Sequence, residues 1–209
     1  MNARHARFRA IAWLAYLGCL TSPPASAEEA GQETIVMVRH GEKPEQGLGQ
    51  LDCRGLNRAL SLPRVIETKY GRPDAIFAPD PSAQKNDRGT KYDYVRPLAT
   101  IEPTAIYFGL PVNASIGFKN VDKLVDALVS PRFQNKVVVV AWEHAFVEKA
   151  ARRLVKRYGG DASSVPKWEG ADFDSIYVVR ITRRAGKTAV SFGVEQQGLN
   201  GQQLVCPGH

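Results

Sequence analysis

Two short stretches carry the side chains best suited to chemistry, Arg39-His40-Gly41 and Glu143-His144. A neutral imidazole is a nitrogen nucleophile, and a guanidinium presents a planar fork of donors that matches the oxygens of a phosphoryl group. Two histidines with an arginine beside the first are therefore equipped to hold a tetrahedral dianion against a nucleophilic nitrogen, and phosphate chemistry fits them best. Arg-His-Gly alone recurs by chance in unrelated chains, so the elements that would position these residues decide the matter.

Both histidines follow apolar, β-branched runs. Thr34 to Val38 predicts a buried strand ending at Arg39, and Val137 to Ala141 predicts a central strand, hydrophobic on both faces, that leads into Trp142-Glu143-His144. Open α/β sheets bind ligands at the carboxyl ends of their strands, which is where both histidines would lie. Between these strands, helical spacing over Leu51 to Tyr70 predicts a helix broken at Pro63, and Ala75 to Ala78 a short strand. Pro79 to Tyr94 is polar, without apolar periodicity, and predicts a long surface loop. Leu98 to Phe108 predicts a helix with Pro103 near its first turn, Leu110 to Val112 an extended segment, and Asp122 to Leu128 an amphipathic helix. Ala145 to Tyr158 predicts a basic helix, and Ser175 to Ile181 with Ala189 to Val194 a terminal pair of strands. The chain alternates helix and strand without internal repeats.

The 209 residues suffice for one domain with a real core. Arg4, Arg7 and Arg9, the apolar run Ala10 to Leu20 and the small residues Ala25-Ser26-Ala27 have the three-part layout of a secretory signal peptide. The apolar run is shorter than the roughly 20 residues that span a bilayer, so residues 1–27 are expected to be cleaved and residues 28–209 to form the mature domain, periplasmic or secreted, with no stable membrane insertion. The formal charge is +7, and the leader carries three arginines and no acid, so the mature domain is near +4. Its cations are interspersed with acids and apolar residues, which argues against nucleic acid as a partner. Export would leave Cys53 and Cys206, which could form one disulfide tying the tail to the first third of the chain, or could be two unrelated cysteines. Neither their spacing nor that of the histidines suggests a metal site.

Val38-Arg39-His40-Gly41-Glu42-Lys43 resembles the Arg-His-Gly signature of the histidine phosphatase superfamily. Arg96-Pro97-Leu98-Ala99-Thr100 is similar to that family's second-arginine motif, and Val137 through His144 to its late strand ending in the second histidine. The order and spacing of the three agree over nearly the whole mature chain. The resemblance implies a three-layer α/β/α sandwich around a mostly parallel sheet, phosphoglycerate mutase-like. It also implies phosphomonoester hydrolysis through a phosphohistidine on His40, with Arg39, Arg96 and His144 holding the phosphoryl oxygens of a small phosphorylated substrate and no metal or other cofactor. The family's leaving-group acid has no counterpart at its usual positions. Glu143 is the candidate, ahead of Glu102, Asp172 and Asp174, although a rim carboxylate paired with Arg39 or Arg96 would explain it as well. Gly41 would let backbone approach the phosphate or simply make a turn, and Lys43 would be a second anion contact or, with Glu42, a solvated pair. Tyr92 and Tyr94 could pack over substrate, and Trp142 and Trp168 could wall the pocket or fill the core. The other activities compatible with this pattern are a non-catalytic phospho-ligand binding protein and a mutase-like phosphotransferase, the latter less suited to an exported protein.

Overall fold

The computed structural model describes residues 31–208, so the expected signal peptide lies outside the described residues. One six-stranded sheet forms the middle layer, built from β1 (Gly31–Arg39), β2 (Ala75–Pro79), β5 (Val112–Ile116), β6 (Val137–Trp142), β7 (Ser175–Arg184) and β8 (Lys187–Gln196). Its order is β5-β2-β6-β1-β7-β8. The four strands from β5 to β1 are parallel, while β7 and β8 add antiparallel to one edge.

Helices cover both faces. α1 (Cys53–Tyr70) and α2 (Arg96–Phe108) pack Leu62, Ile66, Ile101 and Phe108 onto Val36, Val38, Val139 and Ala141. On the other face α3 (Val121–Leu128) and α4 (His144–Arg157) pack Leu124, Leu128, Val147 and Leu154 onto Ile35, Met37, Val138 and Val140. Alternate residues of β1 and β6 thus go to opposite cores, which is why both strands read as unbroken apolar runs, each fully buried aliphatic side chain adding about 1.5–3 kcal/mol. Trp142 and Trp168 are core residues. Among the described residues no helix is long and apolar enough to cross a membrane.

Three local expectations are corrected. α1 runs through Pro63 unbroken: Asp52 caps it by accepting from the Gly55 amide at 2.8 Å, and the buried stripe of Ala59, Leu62, Pro63 and Ile66 offsets the one backbone hydrogen bond that the proline forgoes. α2 starts at Arg96, with Pro97 in its first turn where a missing N–H costs nothing, which leaves Pro103 in its middle. Within the expected loop Pro79 to Tyr94, β3 (Gln84–Asp87) and β4 (Thr90–Asp93) pair as a hairpin. Its two-residue turn, Arg88-Gly89, has positive φ at both positions, the backbone that matches the twist of a tight hairpin.

Candidate active site

β1 and β6 are parallel neighbours with Arg39 opposite Trp142, and the His40 amide donates to the Trp142 carbonyl at 2.9 Å. This register alone brings His40 and His144 to the same end of the sheet. His40 is 3% exposed, and its Nδ1 lies 2.8 Å from the Gly41 carbonyl. A carbonyl only accepts, so the proton sits on Nδ1 and the lone pair on Nε2. Burial, reinforced by the positive charges of Arg96, Arg39 and Lys85, holds the imidazole well below the ordinary histidine range.

The chain beyond His40 is fixed from two sides. The Gly41 amide donates to Thr100 Oγ1 at 2.9 Å, and that hydroxyl donates to the Arg96 carbonyl at 2.8 Å, so one threonine joins the nucleophile's loop to the first turn of α2. Below it, a Cβ on Gly41 would meet the Gly55 carbonyl at 2.9 Å, and a Cβ on Gly55 would meet the Glu42 carbonyl at 2.3 Å. The two glycines are what allow the loop and the N-terminus of α1 to touch.

Around the imidazole, Arg39 donates to the carbonyls of Gly170 and Asp172 at 2.7 and 2.9 Å and stacks over the Phe173 ring, 3.7 Å from its centroid. Burial lowers it to about 10, still charged at neutral pH. Arg96, 1% exposed, meets Asp87 of the hairpin, and Asp87 also takes Lys43 at 2.6 Å. His144 opens α4, and burial together with Arg39 lowers its basicity. Arg39 Nε, Arg96 Nε and His144 Nδ1 are buried without hydrogen-bond partners among the described residues. Native structures leave few such atoms unpaired; here the charges of Arg39 and Arg96 both act on His40, and that of Arg39 also acts on His144.

His40, Arg39, Arg96, His144, Glu143 and Gly41 are thus brought together. Lys43 is paired to Asp87 and stays partly exposed, so its partner is neither Glu42 nor an anion site. Glu42 is bound through both carboxylate oxygens by buried Arg58, at 2.8 and 2.9 Å, and is neither solvated nor part of the entrance. Glu143 pairs with Lys85, not with an arginine. Asp172 accepts from the amides of Asp174 and Ser175, Asp174 pairs with Arg58, and Glu102 is exposed on α2. Tyr94 is buried with its ring edge-on to His40, centroids 6.1 Å apart, and Tyr92 is half-buried on β4. Lys85 and Asp87 are absent from the residues that sequence reasoning picks out; the one signal for them is the Asp-Arg-Gly turn that marks a hairpin. α1 joins the C-terminal tail through a Cys53–Cys206 disulfide. Among the described residues no three His, Cys, Asp or Glu side chains gather as metal ligands.

The tautomer is directly testable. Nitrogen NMR at pH 6.5 is expected to show His40 as the neutral Nδ1–H form, where a free imidazole would be half protonated; a cationic ring would refute the assignment. The depressed basicity also contributes to stability versus pH: the stability is fully present above the unfolded value near 6.5 and is lost as pH falls toward the folded one, by up to about 1.4 kcal/mol per pH unit.

No protein-family model and no curated protein matches the chain. Solved structures do. The assigned phosphohistidine phosphatase SixA of Nakamurella multipartitia aligns with a TM-score of 0.53 and 16% identity, covering 79% of this chain and 96% of its own. The phosphoglycerate mutase of Plasmodium falciparum aligns with a TM-score of 0.50 and 13% identity, covering 77% of this chain and 89% of its own. The chain therefore has a phosphoglycerate mutase-like fold.

Proposed function

We propose that the protein is an exported phosphatase that hydrolyses phosphomonoesters through a phosphohistidine on His40. The observation that carries this reading is the buried Nε2 lone pair of His40 beside the charges of Arg39 and Arg96, which, with His144, each keep a buried polar atom unpaired among the described residues. Nε2 attacks phosphorus in line, and the two guanidinium groups with the second imidazole hold the equatorial oxygens and offset the charge that develops on them. Water then attacks the phosphohistidine and releases phosphate. The positive charge in this scheme comes from the chain's own residues. Residues 1–27 act as the secretory signal, so the substrate is a phosphorylated compound met in the periplasm or outside the cell.

Phosphate release by the purified protein from a panel of phosphomonoesters tests the proposal. Turnover that persists in EDTA is expected; no turnover on any member across pH 4–9, with phosphate still bound, would favour a binding protein of the same fold.

Asp87 holds Arg96 through Nη1 while the neighbouring Nε stays unpaired for phosphate, so the carboxylate's charge opposes the incoming anion. Asp87→Asn removes the resident charge, and inorganic phosphate is expected to inhibit the variant about tenfold more tightly, a gain of about 1.4 kcal/mol. Weaker inhibition would mean that Asp87 positions Arg96 instead.

A further inference from the structure

We propose that Lys85 is the acid that protonates the leaving group, and that the groove it lines holds the leaving group's organic part; the proposal rests on the phosphatase reading above. The nearby carboxylates among the described residues each meet a cation or a backbone amide through at least one oxygen. Asp87 takes Lys43 and Arg96 on its two oxygens, and Glu42 takes Arg58 on both. Asp172 accepts two backbone amides, and Asp174 accepts from Arg58 and the amides of Gly198 and Leu199. Glu143 meets Lys85, and in that ion pair the proton sits on nitrogen. A carboxylate that stays ionised beside such partners has no O–H to give a departing alkoxide, whereas an ammonium carries a proton to give.

Lys85 is placed to supply the proton. Its side chain is 23% exposed, and its Nζ lies 5.0 Å from the centroid of the Tyr94 ring, the ring that packs edge-on against His40. The ammonium and the nucleophile thus both lie against Tyr94, and the charge of Lys85 acts on the His40 ring. On its other side Lys85 lines an open groove of about 310 Å³ with Glu143, Phe118, Phe146 and Lys119. A leaving group that occupies this groove lies against Nζ, with its apolar part on the two phenylalanine rings. Burial lowers Lys85 from the ordinary ammonium range, with Glu143 and Asp87 favouring its charge and Arg96 opposing it, which brings its acidity nearer to working pH.

The step balances. The His40 Nε2–P bond forms as the P–O bond to the leaving group breaks, and a proton passes from Lys85 Nζ to the departing oxygen, giving an alcohol and a neutral amine. In the second half a water oxygen attacks phosphorus, the N–P bond breaks, and the water's proton returns to Lys85.

The test is the dependence on leaving group, measured in the full protein with p-nitrophenyl phosphate, whose phenolate departs without a proton, and glycerol phosphate, whose alkoxide needs one. Lys85→Met is expected to lose about 10²- to 10⁴-fold in kcat/KM, which covers only the steps up to departure of the leaving group, on the alkyl ester and less than about tenfold on the aryl ester. Lys85→Arg keeps a cation against Glu143 but not a transferable proton, and is expected to show the same selective loss at an unchanged melting temperature. Equal losses on both esters would overturn the assignment to Lys85 while leaving the phosphatase reading in place. A wild type inactive on both would overturn that reading and the assignment with it.

Discussion

Replacing His40 with alanine is expected to lower kcat on every phosphomonoester the protein hydrolyses by at least about 10⁴-fold, a loss near 5.5 kcal/mol in transition-state stabilisation. The size follows from the role: without Nε2 there is no phosphoryl acceptor, and water would have to attack directly in a pocket built around an imidazole. Binding should survive, because Arg39, Arg96 and His144 remain and their unpaired atoms still need an anion. Rapid acid-free quenching of the wild type with radiolabelled substrate should trap an alkali-stable, acid-labile adduct absent from the variant. A variant that keeps activity, or a wild type that never labels, would exclude a phosphohistidine. Thermal melting separates this effect from misfolding, since among the described residues the side chain makes one hydrogen bond, to Gly41.

The largest expected effect on stability comes from the tail. Cys53 and Cys206 close a loop with a sequence separation of 153, and the chain-entropy relation gives about 5 kcal/mol for a loop of that length. Cys206→Ser should therefore lower the melting temperature by about 10 °C or more. Dithiothreitol should reproduce the shift in the wild type and leave the variant unmoved. In the native state the consequence is local: Asn57 donates to the carbonyls of Gln203 and Val205 at 3.0 and 2.9 Å, and these contacts alone would hold the reduced tail on α1. Activity at 25 °C is expected to change little. A melting temperature indifferent to reductant would show that the bridge does not constrain the unfolded chain.

The layered core is legible in the sequence because it is written in local periodicity. Val137 to Ala141 and Ile35 to Val38 are apolar at every position, as a strand covered on both faces permits, and just beyond these runs stand His144 and His40. The hairpin is not legible. Gln84 to Asp87 and Thr90 to Asp93 are polar on both faces, so no alternation marks them, and their pairing is fixed by a turn and by ions chosen at long range. Lys85 finding Glu143, and Asp87 finding Arg96, depend on where the sheet puts strand ends, which side-chain type does not encode. Prolines mislead in the opposite sense: Pro63 and Pro103 sit inside helices whose buried faces outweigh one absent hydrogen bond.

The contact between Gly41 and Gly55 ties two distant letters of the sequence together. Any side chain at 55 would drive into the Glu42 backbone and displace the histidine's loop, so a chain with Arg-His-Gly presented this way has to keep a glycine in the first turn of the following helix. At the 16% identity that separates this chain from SixA of Nakamurella multipartitia, overall similarity is a weak guide. A pattern that asks for both glycines and the intervening helix cap at Asp52 would be a more discriminating probe for distant kin than the tripeptide by itself.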